Sequence, residues 1–169
     1  MAGVPRINLC APSSFSVYHG GPKAVYSPII LSTGYTKDFG YGFYVTRMLE
    51  QAQRWAARKS PGVVTVFGLD PDYRADPGYV SFDSVNPKWL DFIACCRAGH
   101  DISSYSIVEG PMADDVIWTQ VDAYLSGDIP RDAMLEIARF RRPTHQIVFR
   151  TQEVIDQYLV FKEAIAVGG

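Results

Sequence analysis

Two glycine-rich strand ends constrain this chain most strongly. Gly20-Gly21 closes the first predicted strand, and Gly40-Tyr41-Gly42 leads into the second. Because glycine has no side chain, a ligand can approach the backbone closely at both places. His19 ends the first strand and Tyr44 lies within the second, so each places a ring with a polar atom beside these glycines. The pattern predicts a ligand site assembled from separate strands.

A third segment adds a polar side chain at the start of a late strand, because Gln146 opens the apolar run 146–149. The predicted strands are residues 15–19, 43–45, 63–69, 79–82, 106–108 and 146–149. The first predicted helix begins after the N-cap Thr46, and three more span residues 86–97, 114–125 and 131–140. The last predicted helix runs from the cap Thr151 to about residue 161. Strands and helices do not alternate strictly, which favours an α+β fold over a doubly wound parallel sheet.

Composition predicts one folded domain. The chain has 169 residues, 47% of them hydrophobic and 20% charged, and a net charge of −2, which argues against indiscriminate coating of nucleic acid. Its three cysteines do not predict a disulfide framework, and no cluster has metal-ligand spacing. Neither a signal peptide nor a membrane span is predicted, so we expect a cytoplasmic protein or one delivered to a target cell by a signal-less route. Residues 1–14 are interpreted as a lead-in, 15–161 as the domain and 162–169 as a tail.

Three groups of motifs resemble the family called domain of unknown function 3990. They are Tyr18-His19-Gly20 with Asp38-Phe39-Gly40-x-Gly42-Phe43-Tyr44-x-Thr46, Glu50-Gln51-Ala52 and Trp55-Ala56; Ile107-Val108-x-Gly110-Pro111-x-Ala113-Asp114-Asp115; and Gln146-Ile147-x-Phe149-x-Thr151-x-Glu153. The likeness runs from about residue 17 to residue 161. That family is grouped by its motifs with the ADP-ribosyltransferases, which implies a split β-sandwich with flanking helices.

The resemblance implies a role in NAD binding for each motif. His19 would bond a ribose hydroxyl of the adenosine half, and the backbone of Gly20 would hold the nicotinamide carboxamide. Tyr44 would stack on the nicotinamide ring. Gln146 would take the place of the catalytic glutamate and bond the nicotinamide-ribose hydroxyls. Phe43 and Arg47, on either side of Tyr44, are also expected to contact NAD, and no metal is expected.

The resemblance further implies a mono-ADP-ribosyltransferase that releases nicotinamide and modifies a macromolecule, protein or nucleic acid. Small domains of this kind often act as toxins or in conflict systems, which would imply an antitoxin or immunity partner; no membrane partner is expected. Two alternatives stay open. Water could be the acceptor, which would make the protein an NAD glycohydrolase, or the fold could be an inactive module that binds a nucleotide or a protein.

Because Gln146 has an amide where a catalytic glutamate would have a carboxylate, another carboxylate could take part in the reaction. An amide orients a hydroxyl but neither acts as a general base nor carries charge, which favours mono-transfer over chain elongation. Glu109 and Glu153 could supply the missing carboxylate, or they could be ordinary solvated or capping acids. Two basic clusters could hold the pyrophosphate or an anionic acceptor, or could simply be solvated: Arg47, Arg54 and Arg58, and Arg139, Arg141, Arg142 and Arg150.

Overall fold

Two β-sheets form the centre of the protein. The computed structural model describes residues 14–31, 37–100, 103–141 and 144–168. One sheet is antiparallel with the strand order β1-β3-β7, formed by β1 (Phe15–Gly21), β3 (Gly62–Leu69) and β7 (Leu159–Val167). The other has the order β2-β6-β5-β4, formed by β2 (Phe43–Val45), β6 (Gln146–Phe149), β5 (Ile107–Gly110) and β4 (Tyr79–Ser81). In this second sheet only β4 and β5 run parallel.

Five α-helices and a 3-10 helix lie within the described residues. They are α1 (Leu49–Ala57), the 3-10 helix Pro71–Ala75, α2 (Pro87–Arg97), α3 (Asp115–Leu125), α4 (Arg131–Arg139) and α5 (Gln152–Tyr158). Side-chain oxygens of Asn86 and Asp114 accept the backbone N–H groups of Trp89 and Ile117, so these caps fix where α2 and α3 begin. Among the described helices, none has the length and apolar character needed to cross a membrane.

The four-stranded sheet is buried on both faces, and this separates two cores. Along β6, Ile147 and Phe149 pack with Val17 and Phe67 of the other sheet. Val148, between them, packs with residues of helices α2 to α4 on the opposite face. Because successive side chains of a strand point to opposite faces, neighbouring residues of β5 and β6 enter different environments. This alternation decides which polar residues can share a site.

The structure confirms a mixed α+β fold, and the predicted strands 43–45 and 146–149 match β2 and β6. The predicted start of the first helix is wrong. Met48 is the N-cap of α1, while the Thr46 hydroxyl accepts the N–H of Met48. Thr46 instead pairs with Tyr18 in an isolated bridge that links the two sheets. The first 13 residues of the predicted lead-in lie outside the described residues.

The predicted helix through residue 161 is also wrong at its end. Helix α5 stops at Tyr158, and the chain continues directly as β7. Residues 162–167 of the predicted tail therefore belong to a strand that pairs with β3 from Leu69↔Leu159 to Gly62↔Val167, with one register shift between Val66 and Phe67. The pairing supplies backbone hydrogen-bond partners for β3 that a helix could not offer.

Candidate active site

One cavity of about 440 Å³ collects residues from three strands. His19 and Gly20 come from β1, Tyr44 from β2 and Gln146 from β6. The structure therefore brings together four residues that the sequence predicted to share a site, although they span most of the chain. Its volume falls in the range of small-molecule sites.

The remaining walls of the cavity are basic and aromatic. They are formed by Lys37 and Asp38 before β2, Trp55 on α1, Arg58 and Lys59 after it, Met112 and Ala113 after β5, and Trp118 on α3. Three cationic side chains, one carboxylate and two indoles surround the space. Cationic side chains attract phosphate groups, and indoles pack against planar rings, so this lining suits an anionic ligand that carries rings.

His19 presents a hydrogen-bond acceptor to the cavity. Its Nδ1 lies 2.8 Å from the carbonyl oxygen of Tyr44, and since a carbonyl only accepts, Nδ1 carries the proton. Burial lowers the pKa of His19, which favours the neutral ring. The ring stacks on Phe43 with centroids 4.6 Å apart. Nε2 therefore carries the lone pair of the ring. It is held in a fixed orientation and can accept a hydrogen bond from a hydroxyl group.

The hydroxyl of Tyr44 is committed to the backbone. It donates to the carbonyl of Gly40 at 2.6 Å and accepts the N–H of Phe39 at 3.1 Å. Gly40 has φ 77°, so the turn that brings its carbonyl to this hydroxyl favours glycine. Burial strongly raises the pKa of Tyr44, which rules out a phenolate near neutral pH. Only the ring face remains for a ligand, and the Lys37 ammonium lies 4.8 Å from its centroid.

Gln146 is buried beside a carboxylate. Its Nε2 donates to Oδ2 of Asp38 at 3.0 Å and to the carbonyl of Pro111 at 3.4 Å. Asp38 Oδ2 also accepts the N–H of Ala113 at 2.7 Å. Burial raises the pKa of Asp38 to about 6. Because the amide nitrogen is occupied, Oε1 is the atom of Gln146 that can accept a hydroxyl from a ligand.

Gly20 is a glycine because of packing. A Cβ at this position would lie 2.2 Å from the carbonyl oxygen of Ala52 in α1. The group that approaches Gly20 closely is thus the backbone of α1 and not a ligand, and this contact allows α1 to pack tightly against β1. The backbone of Gly20 still lines the cavity.

Two residues expected to contact the ligand lie elsewhere. Arg47 does not line the cavity; its guanidinium is 3.0 Å from Glu109 and lies over the ring of Phe15 at 4.7 Å. Phe43 lines a neighbouring cavity of about 690 Å³, which shares only His19 and Lys37 with the first. Phe43 thus helps to orient the His19 ring by stacking on it and does not line the first cavity.

Glu109 and Glu153 are not placed to assist Gln146. Glu109 is opposite Ile147 in the β5–β6 pairing, so its side chain lies on the other face of the sheet from Gln146. It lines a separate cavity of about 540 Å³ with His145 and Arg74. Glu153 is exposed on α5. Asp38, which the sequence analysis quoted within a motif but gave no role, is the carboxylate of this cavity.

The predicted basic clusters are dispersed. Of their described members, only Arg58 lines the cavity, together with Lys37 and Lys59. Arg141 pairs with Asp114 at 2.7 Å, and Arg150 donates to Ser103 at 2.9 Å. Arg142 lies outside the described residues. The described ranges contain no group of His, Cys, Asp and Glu side chains that could hold a metal ion.

A protein-family model described as "Protein of unknown function (DUF3990)" matches residues 15–161. No curated protein and no solved structure matches the chain.

Proposed function

The chain belongs to the DUF3990 family of proteins of unknown function, and we propose that it is an NAD-dependent mono-ADP-ribosyltransferase. The observation that carries the proposal is the convergence of His19, Tyr44 and Gln146 from three separate strands on one cavity. Two sheets with helices on their flanks support an ADP-ribosyltransferase-type split β-sandwich as the fold.

The chemistry of the lining fits the parts of NAD. His19 Nε2 accepts a ribose hydroxyl, and the backbone of Gly20 bonds the carboxamide. The cationic side chains of Lys37, Arg58 and Lys59 neutralise the pyrophosphate. A neighbouring cavity shares His19 and Lys37 with the first, and the pair of adjacent cavities suits an elongated ligand with two ring-bearing halves.

The ring face of Tyr44 is the surface on which nicotinamide stacks. The Lys37 ammonium now lies over that ring, at 4.8 Å from its centroid. A stacked nicotinamide takes its place, and the flexible chain of Lys37 can then turn toward the pyrophosphate. The ring of Tyr44 itself is held rigid by the two hydrogen bonds of its hydroxyl.

The reaction needs positioning more than acid or base. The glycosidic C–N bond breaks, and nicotinamide leaves as a neutral molecule with the bonding electron pair. The ribose carbon, which carries positive charge in the transition state, is then attacked by a nucleophile of the acceptor, which loses a proton. Preorganised dipoles that favour the developing charge supply the rate enhancement, and Oε1 of Gln146 is such a dipole.

The first test is incubation of the protein with NAD labelled in the adenylate half, in the presence and absence of cell lysate. We expect nicotinamide release, measured by chromatography, and label transferred to macromolecules, measured by mass spectrometry. Release without transfer identifies an NAD glycohydrolase. No release with either water or lysate contradicts an enzymatic function and leaves a binding module.

Two substitutions of Tyr44 separate its ring from its hydroxyl. Tyr44→Phe keeps the ring face for stacking but leaves the Gly40 carbonyl and the Phe39 N–H without their hydrogen-bond partner. We therefore expect the free energy of unfolding to fall by about 1–3 kcal/mol. Its NAD affinity should stay close to that of the parent. Tyr44→Ala should also weaken NAD binding by about 1 kcal/mol or more. Urea denaturation and calorimetry measure the two quantities, and equal NAD affinities of the two folded variants contradict stacking.

A further inference from the structure

We infer that Asp38 is a positioning residue for Gln146, and that the two side chains together do what a single glutamate would do in this cavity. The inference rests on the proposed function, since it concerns how the same site stabilises positive charge on the ribose. Asp38 contributes the negative charge that an amide lacks, and Gln146 contributes the acceptor atom that faces the ligand.

The geometry fixes the orientation of the Gln146 amide. Asp38 is 6% exposed and Gln146 is 2% exposed, so both side chains are largely shielded from bulk water. A carboxylate only accepts hydrogen bonds, so the Nε2 of Gln146 must face Asp38 at 3.0 Å. The opposite end of the amide, Oε1, is then turned away from Asp38. Ala113 and the side chain of Trp118 hold Asp38 from two further elements.

The hydrogen bond between Asp38 and Gln146 also changes the electrostatics at the ligand. A carboxylate that accepts from an amide N–H polarises the amide, which makes its carbonyl oxygen a stronger acceptor. In a low-dielectric site the negative charge of Asp38 also favours a positive ribose carbon at the far end of Gln146. Glu109 cannot do this, because it lies on the opposite face of the sheet.

Burying the ionised carboxylate of Asp38 lowers the stability of the folded protein. The pKa of Asp38 is raised to about 6 from its ordinary value of 3.8, with burial as the largest cause. The folded protein therefore binds this proton more tightly than the unfolded chain, and stability falls as pH rises through the window from 3.8 to about 6. A purely structural role would favour an uncharged residue here.

Asp38→Asn isolates the charge. A single oxygen, Oδ2, accepts both Ala113 N–H and Gln146 Nε2, so the amide oxygen of asparagine can keep both bonds. The stability of the variant at pH 7.5 should be close to that of the parent, because the loss of a buried charge offsets the weaker contact with the Trp118 side chain. We expect kcat for nicotinamide release to fall about tenfold or more, with KM not raised.

The pH dependence gives a readout that packing alone would not change. The parent's rate should rise with pH through about 6 as Asp38 ionises, and this rise should be absent in Asp38→Asn. Other charged or titratable groups face Asp38 in the cavity or act on it: His19, Lys37, Tyr44, Arg58, Lys59 and, through its charge, Arg97. A pH-dependent rise that came from His19 would persist in the variant.

The experiment compares the parent, Asp38→Asn and the control Asp128→Asn, which removes an equal charge from an exposed turn. Nicotinamide release is followed from pH 5 to 8, and the side-chain amide signal of Gln146 is followed by NMR over the same range without NAD. Slower release without the rise near pH 6, and an amide titration in the parent near that pH, support the inference.

The contrary outcomes are separable. An Asp38→Asn variant that keeps the parent's rate or its rise near pH 6, or a Gln146 amide that does not titrate, overturns the role of Asp38 alone. A parent that releases no nicotinamide overturns the proposed function, and the inference with it.

Discussion

Gln146→Ala is expected to slow nicotinamide release about 100-fold or more, while the fold and most of the affinity for NAD remain. The amide oxygen is proposed to act chiefly in the transition state, so kcat should fall and KM should change little. Stopped assays of nicotinamide give the rate, and circular dichroism with urea denaturation checks the fold. Gln157→Ala, which removes an exposed glutamine from α5, is the matched control and should leave the rate unchanged.

A Gln146→Glu variant refines the same test. The new carboxylate would lie beside Asp38, where the amide nitrogen is now 3.0 Å from Oδ2. Two carboxyl groups at that separation cannot both ionise readily, so they would share a proton and keep a charge near −1. We expect a rate near that of the parent. Its rise should not move above the parent's pH, because the shared proton stabilises the singly charged pair and only the second ionisation is shifted upward.

An unchanged rate in Gln146→Ala would remove Gln146 from the mechanism. Neither Glu109 nor Glu153 could then take its role, because one lies on the far face of the sheet and the other on the surface of α5. Activity in that variant would instead point to Asp38 acting without an intermediary, which Asp38→Ala would reveal.

The strands that carry the site were predictable because each is short, apolar and bounded by glycine or polar residues. Residues 43–45 and 146–149 are strands in the structure as predicted, and they carry Tyr44 and Gln146 into one cavity. The reason for Gly20 was not predictable, because it depends on the backbone of Ala52, which only the folded helix brings close.

The direction of side chains explains most of the remaining differences. Arg47 follows the alternation of Phe43 and Val45, so its side chain points away from the cavity, contrary to the expected contact with the ligand. Asp38 was missed because its partner is 108 positions away in the chain. Strand β7 was missed because the apolar spacing of α5 continues past Tyr158, and only pairing with β3 decides between helix and strand.

Glu109 is expected to matter for stability. Its Oε2 accepts the hydroxyls of Tyr73 and Tyr79, both at 2.7 Å, and its Oε1 lies 3.0 Å from both His145 Nε2 and the Arg47 guanidinium. His145 Nδ1 accepts the backbone N–H of Arg47, so Nε2 is the donor. This one carboxylate therefore joins β5 to the 3-10 helix, to β4 and to the segments before α1 and β6. Removing it leaves a partly buried cation, one buried hydroxyl and one partly buried hydroxyl without their acceptor.

Glu109→Ala should lower the free energy of unfolding by about 3–5 kcal/mol at pH 7, measured by urea denaturation. Burial alone would raise the pKa of Glu109, but hydrogen bonds from His145, Tyr73 and Tyr79 and the charge of Arg47 lower it to about 2. The stabilisation is therefore complete above the ordinary value of 4.5 and is lost as pH falls toward about 2. The difference between parent and variant should shrink at pH 3, whereas Glu50→Ala, at an exposed site of α1, should change stability little at either pH. A difference that stays constant with pH would assign the loss to packing and contradict an ionised Glu109 as the hub of this cluster.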